Sequence, residues 1–197
     1  MLYELAHVIK ERCGFLWNMV EWGNASLFAM IHQSKLREIP RILENCSTHF
    51  VIRETTMMDI KPLVRFFNEQ PSEAYTFFKP HGFDEHSVEK VIRNKAFLTY
   101  VVMDGENIVG YFFLRSFVNG KCFRGRIVCH TMQGRGLGKL ISNVMGKVAL
   151  HLGLRMFCSI SPKNYASMNS AKATNEMKII KTLENGYYYI ECTPKSK

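Results

Sequence analysis

Apolar residues recur in two rhythms along this chain, and the changes of rhythm mark out its elements. Leu2, Leu5, Ile9, Cys13, Leu16 and Val20 stand three or four apart, with Glu4, Lys10, Glu11 and Arg12 off the stripe. That spacing predicts a helix with one apolar face over residues 2–20. Gly23-Asn24 predicts a turn into a second helix carrying Leu27, Phe28, Ile31 and Leu36, and Pro40 interrupts before Ile42-Leu43. At residue 49 the rhythm changes. Residues 49–53 read as a strand, Thr56 or Asp59 caps a helix holding Ile60, Leu63, Val64 and Phe67, and Pro71 ends it. An aromatic stretch, residues 73–83, has no clear period and precedes a helix at 86–93. Residues 97–103 and 108–117 are strands joined by Asp104-Gly105-Glu106-Asn107, a hairpin signal, and Asn119-Gly120 turns into a third strand ending at Val128. Leu137, Leu140, Ile141, Val144, Val148 and Leu152 give a long helix. A strand at 155–160, a polar helix from Asn164 and a strand at 186–190 complete the chain. These elements predict an α/β (α+β) fold. A central mixed, mostly antiparallel sheet is flanked by helices, with a helical extension over residues 1–48 and the sheet-bearing domain over 49–197.

Between the third strand and the long helix stands Gln133-Gly134-Arg135-Gly136-Leu137-Gly138-Lys139. Amides at a strand-to-helix joint are unpaired and lie at the positive end of the helix dipole, and glycines let an anion approach them. The spacing excludes two familiar phosphate loops. Three residues separate Gly134 and Gly138 where a P-loop needs four, and Leu140 stands where a magnesium-binding hydroxyl belongs. The third glycine comes one residue early for a dinucleotide fingerprint, and residues 155–158 lack its acidic residue. Gln133, Gly136 and Gly138 do fit Gln/Arg-x-x-Gly-x-Gly/Ala. This motif, together with the element order over residues 49–192, resembles the GCN5-related N-acetyltransferases (GNAT superfamily).

That resemblance implies a set of roles. Acetyl-CoA is the donor, and the pyrophosphate rests on Gln133, Gly134, Arg135, Gly136, Leu137, Gly138 and Lys139. The pantetheine arm pairs with the strand ending at Val128, whose neighbouring amide polarises the thioester carbonyl, and Asn164 contacts the arm. Asn164 also reads as a helix N-cap. The family's carboxylate base has no counterpart, because residues 107–175 contain no Asp or Glu. Its acidic tyrosine, seven residues after the asparagine, falls at Ala171; Tyr165, nearby but facing elsewhere on the helix, is the remaining catalytic candidate for that role. The Gly-Phe pair that ends its helix falls at Asn175-Glu176, where Asn can take the left-handed conformation. His130 and His81 are left as candidate proton acceptors, each also readable as an ordinary structural or surface histidine. An amine that is already partly neutral needs no dedicated base.

Charge narrows the partners. The net charge is +9, residues 1–48 are neutral, and residues 107–173 hold ten Lys/Arg without one acid. Such a field concentrates anions. No nucleic-acid-binding motif accompanies it, so coenzyme A rather than nucleic acid accounts for the charge. A cationic acceptor is repelled, whereas a primary amine on an anionic handle, such as a nucleotide-linked amino sugar, suits the field. The segments 78–83, 112–115 and 119–125 also resemble acetyltransferase-like proteins of bacterial surface-polysaccharide gene clusters. The expected activity is acetyl transfer from acetyl-CoA to such an amine by direct attack. A catalytically degenerate acyl-CoA-binding domain, acting as sensor or assembly partner, is the alternative. Six scattered cysteines show no metal-ligand spacing and read as reduced thiols of a cytoplasmic protein, so no metal is expected. Asn18, Glu21, Asn24 and Ser26 interrupt the apolar run at 14–31, which argues against a membrane span. The N-terminal helices are expected to pack on the domain or on a second subunit of a homodimer.

Overall fold

The computed structural model describes residues 14–195. Its elements are α1 (Gly14–Ile31), α2 (Gln33–Leu36), α3 (Ile39–Glu44), β1 (Val51–Glu54), α4 (Ile60–Asn68), α5 (Glu85–Arg93), β2 (Phe97–Asp104), β3 (Asn107–Ser116), β4 (Lys121–Val128), α6 (Leu137–Leu152), β5 (Arg155–Ile160), α7 (Tyr165–Thr174), β6 (Asn175–Thr182) and β7 (Tyr188–Pro194). The seven strands form one sheet in the order β1-β2-β3-β4-β5-β7-β6. Every neighbouring pair is antiparallel except β4 and β5. The expected α/β architecture, a mostly antiparallel sheet between helices, is the one observed.

Strand alternation sorts the apolar residues onto two faces. Tyr100, Val102, Phe112, Leu114, Cys122 and Met156 pack with Phe28 of α1, Leu43 of α3 and the buried stripe of α6. Val101, Tyr111, Phe113 and Ile127 pack on the other side with Leu63, Phe66 and Phe67 of α4 and Val88 and Val91 of α5. Leu137, Ile141, Val144, Met145, Val148 and Leu152 of α6 are each at most 2% exposed. Burying such side chains is worth about 1.5–3 kcal/mol apiece. This stripe fixes α6, and with it the glycine loop that leads into it.

Three expectations need correction. Gly23-Asn24 does not break α1. The Asn24 side chain donates to Ser116 O (3.0 Å) and accepts from Val118 N (3.1 Å), while Glu21 accepts from Arg115 (2.8 Å). The polar residues that read as turn formers are clamps holding α1 to the end of β3. Residues 175–182, unassigned from the sequence, form the edge strand β6. Asn175 is extended (φ −137°, ψ 152°), not left-handed, because the chain passes straight from α7 into β6. The stripe expected over residues 2–20 lies largely outside the described residues. Met19, Val20, Trp22, Leu27, Met30 and Ile31 make the outer face of α1 apolar and exposed. Among the described residues no helix is long and apolar enough to cross a membrane.

Candidate active site

The sheet opens between β4 and β5. Their parallel pairing covers only Lys121, Cys122 and Phe123 against Arg155, Met156 and Phe157, whereas β4 pairs with β3 as far as Val128. From residue 124 onward β4 therefore has a partner on one side alone, and a wedge separates it from residues 158–160 of β5. Cys129 N donates to Val109 O (2.9 Å), which fixes the alternation along β4. Gly125 and Ile127 turn their peptide groups toward β3, and Arg124, Arg126 and Val128 turn theirs into the wedge. An extended ligand arm could complete this ladder as an added strand. The amide free to face a carbonyl is that of Val128 itself, since the Cys129 amide is engaged with β3.

The glycine loop stands above the wedge. Residues 130–132 form a 3-10 turn, Gly134 (φ 77°) and Gly136 (φ 83°) are left-handed, and Gly136 is the N-cap of α6. No acceptor within the described residues takes the amides of Gly134, Arg135, Gly136, Leu137 or Gly138; the first helical bonds are Lys139 N and Leu140 N to Gly136 O. Five consecutive donors at a helix start are thus open to an anion. Gln133, Arg135 and Lys139 are exposed around them.

Two arginines lie beneath the loop. Arg124 and Arg126, two apart on β4, point to the α6/α7 face. Arg124 donates to Ser142 Oγ of α6 (3.0 Å) and to Cys192 Sγ of β7 (3.3 Å). Arg126 donates through Nη2 to Ser170 Oγ of α7. A Cβ on Gly138 would lie 3.7 Å from Arg126 Nε and 3.8 Å from Ser170 Oγ, so this guanidinium sits directly below the first turn of α6. Burial, and then the neighbouring Arg124, pull the Arg126 guanidinium down to about 10. Cys158, the first β5 residue beyond the paired stretch, and Cys192 complete the cluster, with their sulfurs 3.6 Å apart. The hydrogen bond between the sulfurs lowers the Cys158 thiol and, with burial, raises that of Cys192, while Arg124 and Arg126 act to lower both.

The remaining sequence candidates are dispersed. Asn164 is the N-cap of α7: its Oδ1 accepts from Ser167 N (3.0 Å), leaving its amide nitrogen for a ligand. Tyr165 follows it on the outside of the helix, 73% exposed. Ala171 is fully buried against the sheet and offers no acid. His130 is exposed, and its backbone N–H donates to Gln70 Oε1 (3.0 Å). His81 lies on the opposite face of the sheet, above β3. Its Nδ1 donates to Gly82 O (2.6 Å), so Nε2 accepts from Tyr111 Oη (3.0 Å). Burial among Phe67, Phe83 and Phe97 lowers its pKa and keeps the imidazole neutral. The structure thus gathers Val128, the loop and Asn164 around the wedge but leaves His81 one strand away. It adds Arg124, Arg126, Cys158 and Cys192, whose sequence signal is the pair of arginines two apart on a strand otherwise buried on that face.

No protein-family model and no curated sequence matches the chain, but its likeness to solved structures is extensive. The GNAT domain of S. lividans PAT is 18% identical, covering 71% of this chain and 88% of its own, at a TM-score of 0.59. Mycobacterium smegmatis RimJ in complex with CoA-disulfide is 14% identical, with 74% and 81% covered and a TM-score of 0.62. The aminoglycoside acetyltransferase AAC(6')-Ib in complex with coenzyme A and kanamycin is 15% identical, with 74% and 95% covered and a TM-score of 0.60. Strand order, wedge and glycine loop on one side, and these likenesses on the other, lead to the same conclusion: this chain has the GNAT fold.

Proposed function

We propose that this protein is an N-acetyltransferase that takes the acetyl group of acetyl-CoA and delivers it to a primary amine on a small anionic acceptor, such as a nucleotide-linked amino sugar. The observation that carries the donor half is the coincidence of five free loop amides with an unpaired β4 edge, because coenzyme A is a ligand with a pyrophosphate at one end and an extended amide-bearing arm at the other. Asn164, with its amide nitrogen unspent, stands across the wedge from that edge. Solved structures of the same fold hold coenzyme A or CoA-disulfide, which supports the reading. The acceptor half rests on charge: Arg115, Lys121, Arg124, Arg126, Arg135 and Lys139 occur without an acid between residues 107 and 175. That field favours an anion-tagged amine and disfavours a polyamine or a lysine-rich peptide.

The test is an acetyl-CoA assay with detection of released thiol across a panel of amines. Turnover of nucleotide-linked amino sugars is expected. Turnover of simple amines or polyamines alone would contradict the acceptor assignment. Tight binding of coenzyme A without turnover of any amine would favour the second reading, a non-catalytic acyl-CoA sensor, which the buried Ala171 and the missing carboxylate support.

A further inference from the structure

We infer that the part of the sheet left open by α4 and α5, where Phe123, Phe157 and Tyr189 stand side by side, seats the nucleotide handle of the acceptor. The base lies on the rings, and the phosphates meet the lysines around them. The inference rests on the acceptor reading above and deepens it by giving that handle a place.

Placement comes first. Alternation sends Phe123 of β4, Phe157 of β5 and Tyr189 of β7 to the face that carries Tyr111 and Phe113, opposite Met156 and Ile190. On that face α4 and α5 pack over Val101, Tyr111, Phe113 and Ile127. The helices packed on β5, β6 and β7 are α6 and α7, which lie on the other side. The three rings therefore stand beyond the cover that α4 and α5 give.

Ring chemistry comes second. Phe157 and Tyr189 are stacked, 5.4 Å apart at 9°, and Phe123 leans on both, 5.8 Å from Tyr189 and 6.3 Å from Phe157. Phe157 is only 3% exposed, whereas Phe123 and Tyr189 are half-buried and keep an outer surface. Arg155 and Lys121 lie over the Phe157 ring at 5.4 and 5.7 Å. Rings bordered by cations suit a ligand that is flat and aromatic at one end and anionic at the other, because every nucleobase offers a π face for stacking.

Charge comes third. Glu191 accepts from Arg155 through both carboxylate oxygens (2.7 and 3.0 Å). Lys121 makes no salt bridge among the described residues, nor do Lys178 and Lys181, which stand opposite Glu191 and Tyr189 in the β6–β7 register. On this half of the face Lys121, Arg155, Lys178 and Lys181 outnumber the acids Glu176 and Glu191. Ammonium groups without carboxylate partners beside a stacking surface are donors for a diphosphate, and the same charges repel a cationic ligand.

Reach comes last. β4 and β5 part just above Phe123 and Phe157, so the rings adjoin the vertex of the wedge. Val128 lies further along the same strand, about 16 Å from Phe123 at the rise of an extended chain. A base, ribose and diphosphate in line cover that distance and bring the attached sugar amine to the wedge. A simple amine standing on the rings falls short of it.

The experiment is calorimetric titration of the intact protein with UDP, GDP and inorganic pyrophosphate, each in the presence of excess coenzyme A to occupy the loop. At least one of the two nucleotides is expected to bind, about tenfold or more tighter than pyrophosphate. Tyr189→Ala should weaken that binding about tenfold and Lys121→Gln severalfold, with coenzyme A affinity unchanged. Lys121→Gln removes only a charge, so it keeps the test valid if Tyr189→Ala does not fold. No nucleotide binding beside coenzyme A, binding no tighter than pyrophosphate, or binding that both variants leave intact overturns the seat. So does a dimer in sedimentation that Tyr189→Ala dissociates, since a second copy would then cover this face. Nucleotide binding as expected, without acetyl transfer to any amine, would remove the enzyme reading and leave the seat standing. Transfer to a nucleotide-linked amino sugar whose KM neither variant raises would do the reverse.

Discussion

The residues that define the wedge act through contacts that are specific enough to be broken singly. Gly125 lies where β4 leaves β5, and the Phe113 ring covers it: a Cβ at this position would sit 2.5 Å from Cε1 and Cζ of that ring. Gly125→Ala must therefore push Phe113 into Phe78 and Phe97, its ring neighbours. Overpacking of this kind costs about 1–3 kcal/mol. A drop in the urea midpoint at unchanged slope is the expected readout, and an unaltered midpoint would show that the ring moves freely. Legibility at this scale was uneven. The glycine loop could be read because Gly134 and Gly136 must adopt a left-handed backbone that the sequence announces. The thiol–arginine cluster could not, since Cys158 and Cys192 lie 34 positions apart and meet only through the β5–β7 register.

At the scale of elements, local chemistry reported itself well and long-range packing poorly. Asp104-Gly105-Glu106-Asn107 closes the β2–β3 hairpin with Asp104 opposite Asn107, as its turn residues dictate. Thr56 and Asp59 both serve at the start of α4: the Asp59 carboxylate accepts from Thr56 N (2.7 Å) and also grips Arg53 (2.7 and 2.8 Å). β6 escaped notice because its outer residues Lys178, Ile179, Ile180 and Lys181 are all exposed, so no alternation betrays an edge strand. The continuity of α1 likewise depends on Ser116 and Val118, which lie far along the chain. Packing of α4 and the 73–83 segment onto β3 carries a pH signature through His81. Its pKa is lowered in the folded state by burial, so the unfolded chain binds more protons as the pH falls through about 6.5. Stability contributed by the neutral imidazole is present above that value and is lost on acidification toward the folded-state pKa. The urea midpoint should fall between about pH 7.5 and 5.5, and the fall should flatten in His81→Gln. An identical slope in the variant would place the titrating group elsewhere.

For the whole molecule, one sheet divides the labour. Its α6/α7 face carries the loop, the buried Arg124, the half-buried Arg126 and the thiol pair, and its α4/α5 face carries the aromatic box around His81, with the β4–β5 wedge between them. Of the bases in residues 107–173, Arg124 and Arg126 lie on the first of these faces and Arg135 and Lys139 in and just after the loop above it, whereas Arg115, Lys121 and Arg155 alternate onto the other, where Lys121 and Arg155 cover the Phe157 ring. The central claim is that the wedge and the loop above it hold coenzyme A by its pyrophosphate and its arm. Calorimetric titration with coenzyme A, beside pantetheine as the same arm without phosphates, tests it directly in the wild type and in Gly136→Ala, where a left-handed position must accept a Cβ. The expected result is one site on the wild-type chain, at least about tenfold weaker for pantetheine and weakened about tenfold by the substitution, as the loss of about 1.4 kcal/mol at a loop of charge-assisted hydrogen bonds requires. Equal binding of coenzyme A and pantetheine, or no binding of either, would contradict it.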